Sequence, residues 1–154
     1  MLAGAHAFET FGGFAPCQLC LRQREIYWAA IGLALLAIAI IFIWKKFGLS
    51  RVFDVALGLV FLTGAVVAAY HAGAEWKFWP GPAECATGAI PKLSPQDILN
   101  ALNHKAHPPS CEDAAWRMAG ISMAGYNAMI SLALAGASFF AAALTPRAQG
   151  DDHG

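Results

Sequence analysis

The stretch APCQLCLRQREIYW, residues 15–28, assembles the parts of a thiol-redox centre: Cys17 and Cys20 at Cys-x-x-Cys spacing, with Arg22 and Arg24 close behind. The thiolate is the form of cysteine that attacks disulfides and electron acceptors, and neighbouring cations favour it. If a helix starts near Cys20, Arg24 stands one turn further on, where the two side chains share a face. Arg22 is equally well placed to snorkel at a membrane interface, so Arg24 has the better claim on the sulfur. Cys85 and Cys111 stand alone, far from the pair and from each other.

Other cysteine chemistries fit this spacing less well. Structural zinc sites usually bring two close cysteine pairs, and only one is present. A c-type haem site needs His directly after the second cysteine, where Leu21 stands. No metal or flavin is implied. Two structural disulfides holding loops together stay open as the plain alternative to cysteines that cycle.

The elements that must position these residues are apolar. Of 154 residues, 58% are hydrophobic and 13% charged, with ten acidic balancing ten basic, a profile of an integral membrane protein. Zero net charge and the lack of an extended basic run set nucleic-acid binding aside. Residues 26–44 carry no charge and would reach about 28 Å as a helix, close to the thickness of a bilayer's hydrocarbon. Residues 52–70 form a second span, with Asp54 near one end. Residues 121–144 form a third, rich in small residues that let membrane helices approach closely. Residues 1–16 are apolar but hold Glu9 and three glycines, are too short to span, and lack the basic start of a signal peptide. The expectation there is the tail of a fourth transmembrane helix.

Topology follows from charge. The short loop KKFGLSR, residues 45–51, carries Lys45, Lys46 and Arg51, which assigns it to the cytoplasm together with the tail 145–154. Segments 1–25 and 71–120 then share the opposite face, and all four cysteines lie in them. In a bacterium that face is the periplasm, where disulfides form and persist. His71 follows Tyr70 at the membrane level of the Cys-x-x-Cys pair. Its plain reading is structural, yet it is placed to donate a hydrogen bond or proton to something bound between the helix ends. Trp76, Phe78 and Trp79 read as an interfacial aromatic belt. Residues 94–104 read as a short surface helix, with Ser94 as N-cap, Pro95 at the first position and Asp97 behind them. The loop around it is rich in proline and suits either a carrier of a disulfide or a tether.

Together, PCQLCLRQR at 16–24, the helix ending in Tyr70-His71, the loop cysteine in WPGPAEC and SCEDAAWRMAGISMAGYN at 110–127 resemble the disulfide bond formation protein B (DsbB) family of bacterial inner-membrane thiol oxidoreductases. The resemblance covers nearly the whole chain in the family's order. It implies an all-α, polytopic four-helix membrane bundle, here with the first helix reduced to its final turns and three clear transmembrane helices. It also implies a quinone, ubiquinone or menaquinone, near the periplasmic helix ends, and a periplasmic thioredoxin-like dithiol oxidase, DsbA, as the partner reoxidised. By position, Cys85 corresponds to the cysteine that forms the mixed disulfide with that partner, and Cys111 to its disulfide mate. Cys111 would then reduce the Cys17–Cys20 disulfide at Cys17, and Cys20 would face the quinone. Arg24 matches the arginine that supports this thiolate and the quinone, while His71 and Met123 match positions near the quinone ring. Vitamin K epoxide reductases also pair Cys-x-x-Cys with loop cysteines, but there the loop cysteines usually precede the motif, whereas Cys85 and Cys111 follow it. A membrane scaffold with two structural disulfides is the non-enzymatic alternative.

Overall fold

A run of helix-forming residues free of internal proline carries α2 from Gln18 to Trp44. Cys17 is its N-cap: the backbone there is extended, and the sulfur accepts the amide hydrogen of Cys20, one of the donors a helix start leaves unpaired. The computed structural model describes residues 2–12, 16–45, 47–82, 85, 111–114 and 116–145. Ahead of α2 lies a short helix, α1 (Leu2–Gly12). After it, Lys45 turns the chain through the left-handed region (φ 54), and a single 3-10 turn, Phe47–Leu49, leads into α3 (Ser50–Glu75).

The end of α3 is a Schellman cap. Phe78 N–H bonds back to the Gly73 carbonyl and Lys77 N–H to Ala74, each at 3.0 Å, with Lys77 left-handed (φ 62). This turn folds Trp79 back along α3, where its indole N–H donates to the Tyr70 carbonyl at 3.0 Å and its ring stacks on Tyr70. Gly73 is required by that return, because a Cβ there would lie 2.0 Å from the Trp79 ring. Further on, β1 (Arg117–Met118) pairs antiparallel with β2 (Ile121–Ser122) across Ala119 and Gly120, both at positive φ as a tight hairpin turn needs. Ser122 then caps α4 (Met123–Leu144), its hydroxyl accepting from Gly125 N–H at 3.2 Å.

Helices α2, α3 and α4 are the three long and apolar enough to cross a membrane. The seam between α3 and α4 is built from small side chains: Gly58, Gly64, Ala65 and Ala68 face Ser131, Ala135 and Ala142 in the buried interior. A Cβ on Gly58 would lie 2.6 Å from the Phe139 ring, so the close approach depends on glycine. Large apolar side chains point outward instead, among them Trp28, Leu35, Phe42, Val66 and Phe140. In lipid that orientation costs nothing, and the buried interior is left to small and polar groups.

The fold is the all-α bundle expected, with the two-residue strands as the sole β-structure among the described residues. Helix boundaries differ from the apolar windows. α2 takes in residues 18–25 ahead of the expected span 26–44, and α3 runs five residues past 70, because helical hydrogen bonding continues through polar residues that hydropathy does not count. Ile121 and Ser122, expected in the third span, belong to the hairpin. The proposed surface helix 94–104 lies outside the described residues, as does the tail beyond residue 145.

Candidate thiol-redox centre

The N-terminus of α2, the C-terminal end of α3 and the hairpin before α4 meet around sulfur. Cys85 and Cys111 form a disulfide with Cα atoms 5.6 Å apart, and Cys17 and Cys20 are free thiols. Cys17, Cys85 and Cys111 pack into one buried cluster, with Leu19 and Cys20 against it. The disulfide is held by the segment ahead of Cys85 and by the residues that follow Cys111. Gly81 N–H donates to Glu112 at 3.0 Å, Cys85 N–H to the Pro82 carbonyl at 2.8 Å, and Lys77 pairs with Asp113 at 3.3 Å.

Within this cluster the sulfurs of Cys17 and Cys111 and a ring nitrogen of His71 all lie within 4.8 Å of one another. Three such groups are also a metal-ligand geometry, but the Cys111 sulfur is committed to its disulfide, so the trio offers a thiolate pair only after that bond is reduced. The two free thiols are not equivalent. Cys17 donates its hydrogen to the Cys20 sulfur at 2.8 Å, and this bond, together with burial, holds the Cys17 thiol well above the ordinary thiol range. Cys20 is the acceptor sulfur of the pair.

His71 lies inside α3, one turn before its end, and is almost fully buried. Its Nε2 is 3.6 Å from the Cys17 sulfur and 3.7 Å from Glu75 Oε1, and its Nδ1 is 2.9 Å from the side-chain nitrogen of Gln23. Gln23 in turn accepts from the Asn127 amide on α4. Asn127 accepts from the Tyr27 hydroxyl at 2.6 Å, and that hydroxyl lies 3.0 Å from Ser131. A continuous polar chain therefore runs from the cysteines into the bundle, drawing on all three long helices.

Arg24 sits on the other flank of α2. Its side chain reaches α1, where one terminal nitrogen donates to Glu9 at 2.6 Å and the other to the Ala5 carbonyl at 3.3 Å. The direct pairing with Cys20 suggested by the spacing is replaced by this ion pair, although Arg24 stays within Coulombic reach of the Cys20 sulfur. Its Nε–H is buried and has no partner among the described residues. Arg22 forms an exposed ion pair with Glu25 at 3.1 Å, as an interfacial side chain would. Met123 opens α4, half-buried, directly after the buried Ser122.

Sequence reading missed Gln23, Tyr27, Glu75, Asn127 and Ser131. A signal for them is present: polar residues inside otherwise apolar helices are expensive, and Gln23 with Tyr27, and Asn127 with Ser131, each recur one helical turn apart.

Three spanning helices with three buried cysteines clustered at one end, and the fourth, Cys20, packed against them, define a multi-pass membrane protein built around thiol–disulfide exchange. The family model for disulfide bond formation protein DsbB matches residues 1–141, and the chain belongs to that family of disulfide oxidoreductases. No curated protein and no solved structure matches it.

Proposed function

We propose that this protein reoxidises a periplasmic thioredoxin-like dithiol oxidase of the DsbA kind and passes the electrons to a quinone in a bacterial inner membrane. The observation that carries the reading is the packing of both cysteine pairs into one cluster, with the Cys17 and Cys111 sulfurs inside one 4.8 Å group. Two structural disulfides would have no need of that proximity.

In this reading a thiolate of the partner attacks Cys85, breaking the Cys85–Cys111 bond, and the partner's second thiolate displaces Cys85 to close its own disulfide. Cys111 then attacks Cys17, which forms a Cys111–Cys17 bond and releases Cys20 with the electron pair. Cys85 attacks Cys111, restores the loop disulfide and releases Cys17. The result is one loop disulfide beside two free thiols, the arrangement seen in the structure.

Fit of a quinone is supported by the unpartnered Nε–H of Arg24, a buried donor one turn beyond Cys20, for which a carbonyl oxygen is a suitable acceptor. Arg24 and Cys20 would hold the ring, with Met123 and His71 flanking it as the family resemblance implies. When bound there, the quinone supplies a two-electron, two-proton acceptor. Position at the membrane boundary suits the task, because the acceptor is lipid-soluble and the dithiol partner water-soluble.

The test is purified protein with reduced partner and ubiquinone or menaquinone, following quinone absorbance. Steady quinone reduction is expected from wild type and none from Cys20→Ala. Absence of reduction by wild type, or full activity in Cys20→Ala, overturns the reading, and disulfides that stay oxidised beside a reduced partner assign the chain to the scaffold class.

A further inference from the structure

The polar chain behind Cys17 has a direction. Asn127 uses its amide nitrogen to donate to Gln23 Oε1 and its oxygen to accept from Tyr27. The Gln23 oxygen is therefore taken, and the Gln23 atom facing His71 Nδ1 is the nitrogen, which only donates. Nδ1 accepts, so the ring hydrogen is on Nε2. That hydrogen faces two groups at nearly equal distance, the Cys17 sulfur at 3.6 Å and Glu75 Oε1 at 3.7 Å.

Glu75 is the other unusual group. Its side chain is 6% exposed, and its second oxygen, Oε2, is buried without a partner among the described residues. Arg117 on the hairpin donates to its backbone carbonyl at 3.1 Å, and the Ser122 hydroxyl lies beside its carboxyl. Cys20 on α2 is within Coulombic reach of the carboxyl, as is the Arg117 guanidinium on the hairpin. These groups place the carboxyl with Oε1 toward Nε2 and Oε2 in the buried interior.

We propose that Glu75 carries the proton Cys17 gains and loses in each cycle, acting through His71, whose ring Gln23 orients with Nε2–H toward both. The inference rests on the exchange between cysteine pairs described above. When Cys85 displaces Cys17 from Cys111, the electron pair of the broken bond stays on the Cys17 sulfur. The Nε2 hydrogen then passes to that sulfur and the Glu75 carboxyl proton replaces it on Nε2, so the imidazole ends as it began, Glu75 ends as the carboxylate, and no electrons move. The product is the Cys17 thiol that donates to Cys20 in the structure. When Cys17 later bonds to Cys20 again, the same proton returns to Glu75. A carrier that resets within each cycle has no need of water, which accounts for a buried carboxyl at this position. Glu75 is in this sense a positioning residue, because it reaches the sulfur only through His71.

The experiment isolates exchange between the two pairs in full-length protein, without quinone or partner. The protein is reduced to one disulfide per chain with limiting dithiol. Interconversion of the Cys17–Cys20 and Cys85–Cys111 forms is followed by acid quench, alkylation and mass mapping across a pH series. Wild type is expected to interconvert at a pH-dependent rate. Glu75→Gln, which keeps the shape but not the carboxyl proton, is expected to slow it about a hundredfold and to flatten the pH profile. Glu75→Asp is expected to restore the profile and most of the rate. A wild-type rate and profile in Glu75→Gln overturns the inference, as does Glu75→Asp behaving like Glu75→Gln. Failure of wild type to interconvert the two disulfides overturns the proposed exchange itself, and so is distinguishable from failure of the Glu75 inference alone.

Discussion

The first two turns of α2 have two flanks, and they are stabilised in opposite ways. Toward α1, Arg24 is charged and makes an ion pair with Glu9, whose side chain is 40% exposed. Toward α3 and α4, Gln23 is neutral, buried, and one link in a chain through His71, Asn127, Tyr27 and Ser131. The Arg24 charge is paired with a carboxylate that water or headgroups can reach, whereas Gln23 joins neutral amides and hydroxyls in the interior, because a buried charge needs far more compensation than a buried amide. The flanks also differ in freedom. An ion pair at the rim can exchange one partner for another, whereas a directional chain spread over three helices holds a single arrangement. Cys17 meets the fixed flank and Cys20 is read by the charged one.

The largest test of that division removes each sulfur in turn. Cys17→Ala and Cys20→Ala are both expected to abolish net transfer from reduced partner to quinone. They should differ in what accumulates: Cys20→Ala retains the sulfur near Cys111 and is expected to trap a Cys17–Cys111 disulfide, visible by mass mapping without reductant. Cys17→Ala should trap none. Equal trapping by both variants would break the distinction between the two sulfurs.

Next in size are the side chains on the two flanks. Gln23→Leu leaves His71 Nδ1 without its donor and frees the ring to change tautomer, so exchange between the cysteine pairs is expected to fall about tenfold, the effect of roughly 1.4 kcal/mol. Arg24→Gln is expected to leave that exchange within about twofold and to reduce quinone turnover by a similar tenfold. The comparison fails if both substitutions slow the same half-reaction.

How much of this was legible before the fold was known follows from what each feature depends on. Spans and topology rest on composition, so residues 26–44, 52–70 and 121–144 announce their helices, and KKFGLSR orients them. The helix ends rest on capping, so the five residues from His71 to Glu75 read as loop although Lys77 and Gly73 complete a Schellman cap there. The cysteines and Arg24 were visible as a motif because their relation is local. The Gln23–His71–Asn127 chain was not, because its members are 48 and 104 residues apart in sequence and meet only when three helices pack. Arg24's partner was hidden for the same reason: Glu9 lies in a different helix, and a motif says nothing about a competitor for its cation.

Stability separates the flanks most finely. Asn127→Leu removes a donor and an acceptor at once, leaving the Gln23 carbonyl without its donor in a dry interior and the Tyr27 hydroxyl with Ser131 alone. The expected loss is about 1–2 kcal/mol in detergent unfolding, since membrane hydrogen bonds are modest in themselves but unpaired buried groups are not. Glu9→Gln, by contrast, removes only the charge from a rim pair. It still accepts from Arg24, and the charge is lost only from the 40% exposed member of a half-buried pair, so the expected loss is below about 1 kcal/mol and the unfolding midpoint should move little. If Glu9→Gln destabilises the protein as much as Asn127→Leu, the rim pair is a structural anchor for α1. Arg24 would then not be free to turn toward Cys20 or a bound acceptor, and the contrast between a fixed flank and an adaptable one would fall.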